Sequence, residues 1–222
     1  ANIIGTTVFT NNTAAKRGGA IEVSTSGSLT MTDGSFTGNS SLIGGAVSLR
    51  TTCTATFSGT DFTSNASTDA NANTDKTIGG GAVYGHENSE ITLTDVNMDK
   101  NTSAYYGGAV MVNGGTLTIN DSDITGSTAA TGSAVYIYNA KTATINGGSI
   151  AGNEAQWNGS VYSTAQSLTV KDLTVTGNKA NMGAGFYISA GDATLENINA
   201  SLADASAEIN NEAVADGGVI YV

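Results

Sequence analysis

Apolar and polar residues alternate in short runs along the whole chain. In one of the clearest runs, Leu29 and Met31 flank Thr30. Alternation with a period of two is typical of a β-strand that buries one face, because successive side chains point to opposite sides. We therefore expect many short strands, whose inward residues in the first complete unit are Ile21, Val23, Leu29, Met31 and Phe36.

These strands belong to a repeat with two recognisable parts. A Phe-x-x-Asn segment such as 36–39 precedes a Gly-Gly-Ala-Val segment such as 44–47, and most copies are 25–27 residues apart. A regular period of this length predicts a solenoid, in which stacked turns share one core that no single turn could form. We expect an all-β, right-handed parallel β-helix of about eight turns, with three strands per turn and one domain over residues 1–222.

Two of the steps between copies are longer than the others. The additional residues fall near 66–78 and near 199–208, and both segments are rich in small polar residues. We expect them to leave the solenoid as loops. Polar loops without aromatic residues are more often plain insertions than binding sites.

An asparagine ends the first part of almost every copy. In stacked turns, an amide at one corner can donate a hydrogen bond to one neighbour and accept one from the next. We interpret this column as structural, because it recurs in nearly every turn whereas a binding site would be local. Its members are Asn12, Asn39, Asn65, Asn101, Asn153 and Asn178.

Composition restricts the partners and the location of the chain. Charged residues make up only 12% of it and the formal net charge is −11, so nucleic acid and anionic membranes would not attract it. No apolar run approaches the ~18 residues of a membrane helix, so no membrane insertion is expected. Abundant Gly, Thr, Asn and Ser are typical of extracellular or cell-surface solenoids.

The pairing of Phe-x-x-Asn with Gly-Gly-Ala-Ile or Gly-Gly-Ala-Val resembles the repeat of chlamydial polymorphic outer-membrane proteins and related bacterial β-helix surface proteins. Both parts are intact in the first three copies, and the fourth has Met98 in place of Phe. The resemblance implies a right-handed β-helix of the kind found in autotransporter passengers that act as adhesins. It does not identify a ligand, because the motif encodes corners and core.

A column of mostly aromatic residues occupies the second position after the Gly-Gly-Ala marker. Its members are Tyr84, Met111, Tyr136, Tyr162, Tyr187 and Tyr221. By alternation they point away from the core, so we expect an exposed stripe suited to stacking on sugars or packing against another protein. Tyrosine also favours strands and stacks across them, and this structural interpretation stays open.

Three aspartates, Asp95, Asp121 and Asp123, lie at or near one turn position of neighbouring copies. They could hold Ca²⁺ or act as the carboxylate pair of a polysaccharide-cleaving β-helix enzyme. Aspartate is also a common turn residue, which is the simpler interpretation. Because His86 is the only histidine and no nucleophile or metal-ligand set repeats around it, we expect no catalysis and no required cofactor.

The sequence begins and stops within predicted strands, with Ile4 aligned with Met31 and Val222 with Val23. Uncapped strand edges favour pairing with another chain, so we expect head-to-tail self-association, with a fragment of a longer solenoid as the alternative. The residues expected at these ends are Ile3, Ile4, Phe9, Ile220 and Val222.

The overall hypothesis from sequence is a non-catalytic extracellular β-helix that acts as a structural or adhesive scaffold on the cell surface or in a fibre. Its expected partners are further copies of itself and a glycan or protein of a host or cell surface. A polysaccharide-binding or polysaccharide-cleaving protein is the alternative function.

Overall fold

The computed structural model describes residues 1–24, 26–69, 78–200 and 211–222. Across these ranges the chain forms β-strands and no helix, and hence no helix that could cross a membrane. The strands build four parallel sheets, two with eight strands and two with seven. The chain visits the sheets in a fixed order, so the fold is a parallel β-solenoid of about seven turns. The predicted fold class is confirmed, and the number of turns is close to the expected eight.

The four sheets are named I to IV in the order in which the chain reaches them. Sheet I contains β1 (Asn2–Ile4), β4 (Ser28–Thr32), β8 (Thr54–Ser58), β12 (Glu90–Thr94), β16 (Thr116–Asn120), β20 (Thr142–Asn146), β24 (Ser167–Lys171) and β28 (Asp192–Glu196). Sheet II contains β2 (Val8–Thr10), β5 (Ser35–Thr37), β9 (Asp61–Thr63), β13 (Asn97–Asp99), β17 (Asp123–Thr125), β21 (Ser149–Ala151) and β25 (Thr174–Thr176).

The other two sheets complete each turn. Sheet III contains β6 (Ser40–Ser41), β10 (Ala66–Ser67), β14 (Thr102–Ser103), β18 (Thr128–Thr131), β22 (Glu154–Asn158), β26 (Lys179–Met182) and β29 (Glu212–Asp216). Sheet IV contains β3 (Ile21–Val23), β7 (Val47–Leu49), β11 (Val83–Gly85), β15 (Val110–Asn113), β19 (Val135–Tyr138), β23 (Val161–Ser163), β27 (Phe186–Ile188) and β30 (Ile220–Tyr221).

Sheet III corrects the expectation of three strands per turn. Its strands bury serine and alanine, for example Ser41, Ser67 and Ala129, instead of large apolar residues. The strand-like hydrophobic alternation that marks the other three sheets is therefore missing here. A fourth strand of only two residues, as in β6 and β10, leaves no pattern of its own in the sequence.

One continuous core fills the interior between the sheets. Val23, Leu29, Met31 and Phe36 of the first complete unit are buried in it, and Ile21 packs against it partly buried. The phenylalanines of sheet II stack along the axis, because the ring centroid of Phe36 lies 4.8 Å from those of Phe9 and Phe62. Because like residues stack in register, each turn buries its apolar side chains against those of the neighbouring turns, which a single turn could not do.

The corner before sheet IV depends on its glycine pair. Gly44 has a φ of 65°, in the left-handed region that residues with a side chain rarely adopt. At Gly45 an added Cβ would lie 2.6 Å from the backbone of Ala66 in the next turn and closer still to the carbonyl oxygen of Gly81. The first glycine therefore turns the chain, and the second lets neighbouring turns approach.

The two predicted loop insertions fall largely on residues 70–77 and 201–210, which lie outside the described residues. The first two residues of the predicted insertion near 66–78 belong to sheet III, because Ala66–Ser67 forms β10 and pairs with both neighbouring turns. The expected alignment of Ile4 with Met31 is wrong by one residue. Ile3 pairs with Met31, and Ile4 pairs with Thr32 and points outward.

Candidate functional site

The aromatic column of the sequence forms a stack along the outer face of sheet IV. Strand register pairs Tyr136 with Tyr162, Tyr162 with Tyr187 and Tyr187 with Tyr221. Their ring centroids are separated by 4.8, 5.5 and 4.8 Å, with interplanar angles of 11°. Tyr106, from the segment before a glycine pair, extends the stack at 4.6 Å from Tyr136.

The expected exposure of this column is wrong for Tyr84, Met111 and Tyr136, each of which is buried. They form a second apolar cluster, outside the main core, with Ile43 and with Ile78, Tyr106, Tyr138 and Tyr162 packed around it. The physical reason is the corner segment between sheets III and IV. It folds over the outer face of sheet IV so closely that a Cβ on Gly107 would lie 2.8 Å from that of Met111.

Burial changes the pKa of two stacked tyrosines, Tyr136 and Tyr187. It raises the pKa of Tyr136 above the usual tyrosine range, and the neighbouring phenols of Tyr162 and Tyr106 raise it further. Burial and the adjacent Tyr221 raise the pKa of Tyr187 in the same direction. Both hydroxyls therefore stay protonated further into the alkaline range than an ordinary tyrosine, whose pKa is about 10.

Tyr162, Tyr187 and Tyr221 are half-buried, so the column becomes accessible toward the C-terminal turns. Near Tyr162, the first half-buried member of the column, the side chain of Trp157 is 53% exposed. It borders a cleft of about 170 Å³ whose lining residues are uncharged: Tyr106, Thr131, Tyr136, Trp157, Asn158 and Tyr162. The cleft lies beside two shallow grooves of about 360 and 410 Å³ on sheet III, and Gln156 lines both of them.

A β-bulge places Trp157 at this cleft. Ala129 pairs with Ala155 and Thr131 pairs with Asn158, so two residues of β22, Gln156 and Trp157, lie opposite a single residue of β18. Both side chains are exposed, which breaks the inward–outward alternation of the strand. Bulges of this kind re-aim side chains and are frequent beside functional sites.

The amide of Asn158 adds a polar group to the cleft. Its Oδ1 atom is buried and accepts no hydrogen bond from any residue that the structure describes. Buried polar atoms are nearly always paired, so an unpaired acceptor needs an explanation. Sequence reasoning missed both Trp157 and Asn158; the available signal was that Trp157 is the single tryptophan of the chain.

The asparagine column forms hydrogen-bonded ladders at the corner after sheet II. The Nδ2 atom of Asn39 donates to Oδ1 of Asn65 at 3.0 Å, and that of Asn65 donates to Oδ1 of Asn101 at 3.0 Å. Asn12 donates to Asn39 in the same way, and a second run continues from Asn153 through Asn178 to Asn211. Ser127 stands between the two runs, where its backbone N–H donates to Oδ1 of Asn153.

The three candidate acidic residues serve the corner between sheets I and II. Asp95 and Asp121 have φ values of 52° and 45°, the left-handed conformation of a turn. Asp123 accepts a hydrogen bond of 2.6 Å from the hydroxyl of Ser149. Within the described ranges, no three His, Cys, Asp or Glu side chains are grouped so that they could hold a metal ion.

Ile3, Ile4, Phe9 and Ile220 lie in the outermost strands of their sheets, and Val222 follows the last strand directly. Ile3 and Phe9 pack against the main core, whereas Ile4 is 74% exposed and Val222 87% exposed. Ile220 pairs with Phe186 and is also exposed. Self-association through these residues stays a prediction.

The first copy of the repeat carries the recurring features of the solenoid: Phe9 in the aromatic stack of sheet II, Asn12 in the ladder, and Gly18 and Gly19 at the corner. Residues 6–24 match the family model of the Chlamydia polymorphic membrane protein repeat. The predicted resemblance is thereby confirmed for this copy. Comparisons with curated proteins and with solved structures found no match.

Proposed function

We propose that this chain is a non-catalytic adhesive scaffold of the cell surface. The matched repeat and the parallel solenoid fit a cell-surface β-helix protein, and the name of the repeat, which is that of a membrane protein, supports the location. The finer role, adhesion, goes beyond this match and is carried by one observation: the half-exposed Trp157 beside the tyrosine stack.

The physical case for adhesion is a rigid surface that presents aromatic groups. Aromatic residues dominate the energetics of binding sites, and here ring stacking and strand register hold the tyrosines beside Trp157 in place before any ligand arrives. A preorganised surface loses little conformational entropy on binding. The grooves of about 360 and 410 Å³ beside Trp157 are within the usual range for ligand sites.

Adhesion is tested with protein-coated beads on cell monolayers. We expect beads coated with the wild-type chain, and those coated with Leu42→Ala, to be retained above uncoated beads. Leu42 is an exposed apolar residue of another turn and serves as the matched control. Beads coated with Trp157→Ala should fall toward the uncoated level. Absence of retention for the wild-type chain would contradict the adhesive role.

The non-catalytic part of the proposal has a separate test. Wild-type protein incubated with soluble and insoluble polysaccharides should release no reducing sugar above a protein-free sample. If the wild-type chain releases reducing sugar and Asp121→Asn does not, the chain is a polysaccharide-cleaving enzyme and the non-catalytic proposal is wrong. Head-to-tail stacking remains a prediction.

A further inference from the structure

We infer that the cleft beside Trp157 binds a single neutral hexose unit of a glycan, an inference that rests on the adhesive function proposed above for its biological setting. Three features of the cleft support it: an accessible indole ring, hydroxyl groups at its border and a buried acceptor without a partner. Each corresponds to a different part of a sugar ring.

The indole ring supplies the apolar contact. In the described part of the chain Trp157 takes no part in the tyrosine stack, so its ring is not occupied by another ring. One face of a hexopyranose carries mainly C–H groups and is apolar. Packing this face on the indole removes apolar surface of both partners from water, which favours binding.

The polar groups of the cleft match the sugar hydroxyls. The Oδ1 atom of Asn158 can only accept a hydrogen bond, and because it is buried the amide must rotate toward the cleft before a hydroxyl of the sugar can donate to it. The hydroxyls of Thr131 and Tyr162 can donate or accept at the border of the same cleft. Pairing a buried acceptor that otherwise stays unsatisfied makes this hydrogen bond more favourable than an average one.

Size and charge narrow the ligand to one neutral ring. The cleft of about 170 Å³ is smaller than the 300–1,000 Å³ typical of pockets for drug-sized ligands, so it fits one ring and not a chain of them. Its lining residues carry no charge, and the net charge of the chain is −11. An anionic sugar would therefore meet no compensating cation in the cleft and an unfavourable overall field.

The single tryptophan provides a direct measurement, because all tryptophan fluorescence of this chain comes from Trp157. The full chain is titrated with galactose, glucose, N-acetylglucosamine and, for contrast, anionic N-acetylneuraminic acid. We expect a saturable change in emission with at least one neutral sugar, with a dissociation constant on the order of 1 mM for a ligand of this size. N-acetylneuraminic acid should give no saturable change.

Asn158→Ala is the decisive variant, because it keeps the fluorescent probe and removes an acceptor that has no partner in the described chain. We expect its dissociation constant to rise about tenfold, the loss of one good hydrogen bond, with an unchanged melting temperature. Leu42→Ala should bind as the wild-type chain does. Trp157→Ala, followed by saturation-transfer NMR of the sugar, should show no binding.

Two results would overturn the inference: no saturable response to any neutral sugar, or equal affinity in the wild-type chain and Asn158→Ala. Its failure can be told apart from failure of the adhesive function. Bead retention without a sugar response would keep adhesion and exclude the hexose site. A sugar response without bead retention would keep the hexose site and exclude adhesion.

Discussion

At the scale of single residues, the asparagine ladders connect the turns of the solenoid through buried hydrogen bonds. Oδ1 of Asn65 accepts from both the backbone N–H and the Nδ2 atom of Asn39, each at 3.0 Å. The Nδ2 atom of Asn65 also donates to the carbonyl oxygen of Phe36. The buried donors of Asn39 and Asn65 are thus paired with neighbouring turns, which avoids the cost of unsatisfied polar groups.

Ser127 allows a gain-of-stability test of the ladder. Ser127→Asn places an amide between Asn101 and Asn153, so that the two runs can join. We expect the free energy of unfolding to rise by about 1 kcal/mol, the net value of one or two added hydrogen bonds. Chemical denaturation measures the change. Ser127→Ala is the comparison variant, and equal stability of the Asn and Ala variants would contradict the ladder account.

The raised pKa of Tyr136 predicts sensitivity to alkaline pH. Above the ordinary tyrosine pKa of about 10, the unfolded chain loses this proton while the folded chain keeps it, so the unfolded state binds fewer protons. Stability therefore falls as pH rises above about 10 and is unaffected below it. Tyr136→Phe should make the fall shallower. Urea denaturation at about pH 9 and about pH 11 tests this, and equal slopes for the two proteins would contradict it.

At the scale of elements, the corner before sheet IV is where the backbone is most tightly constrained. Gly45→Ala would force a Cβ against the backbone of Ala66 and Gly81 in the next turn. We expect a loss of about 3 kcal/mol in the free energy of unfolding, the upper end for overpacking at a rigid contact.

Gly218 offers a matched control for this corner, because it occupies the same motif position and an added Cβ there meets nothing within 4 Å. Gly218→Ala should change stability by less than about 0.5 kcal/mol, as is usual for surface substitutions. Denaturation of the two variants side by side gives the comparison. Similar losses for both would show that the corner is not governed by close contact between turns.

The sequence predicts elements wherever a side-chain pattern marks them. Phe9, Phe36 and Phe62 align because the repeat fixes their register, and the strand pairs match that alignment. The bulge of β22 leaves no mark in the sequence. The segment that contains it, 153–160, has the same length as the equivalent segment of the preceding turn, 127–134. The additional residue of β22 is compensated at the corner before sheet IV of the same turn, because Val135 again pairs with Val161, so the exposure of Trp157 follows only from the structure.

Packing over the outer face explains what alternation failed to predict. Period-two alternation assigns Tyr84 and Tyr136 to the outside of sheet IV, which is correct for their direction but not for their exposure. The corner segment containing Ile43 and its counterparts in later turns covers them. This cover is a contact between segments on separate sheets, which a local pattern does not encode.

At the scale of the whole molecule, features that recur in nearly every turn can be distinguished from features that occur once. Core, ladders and glycine corners recur in nearly every turn and hold the strands in register. Trp157 and the buried Oδ1 of Asn158, which has no partner among the described residues, occur together in one turn. A similar bulge recurs in β29, where Val214 and Ala215 lie opposite Asn181, but no tryptophan accompanies it. The exposed indole is therefore not required by the repeat, which is the argument for assigning binding to it.

The central claim, that a surface scaffold recognises neutral glycans through the Trp157 cleft, is tested most directly on a glycan microarray. Labelled wild-type chain and Leu42→Ala should bind a common set of glycans with neutral terminal hexoses. Trp157→Ala, checked for folding by circular dichroism, should lose that set. An array on which the wild-type chain binds nothing, or on which Trp157→Ala binds the same glycans equally well, would contradict the account.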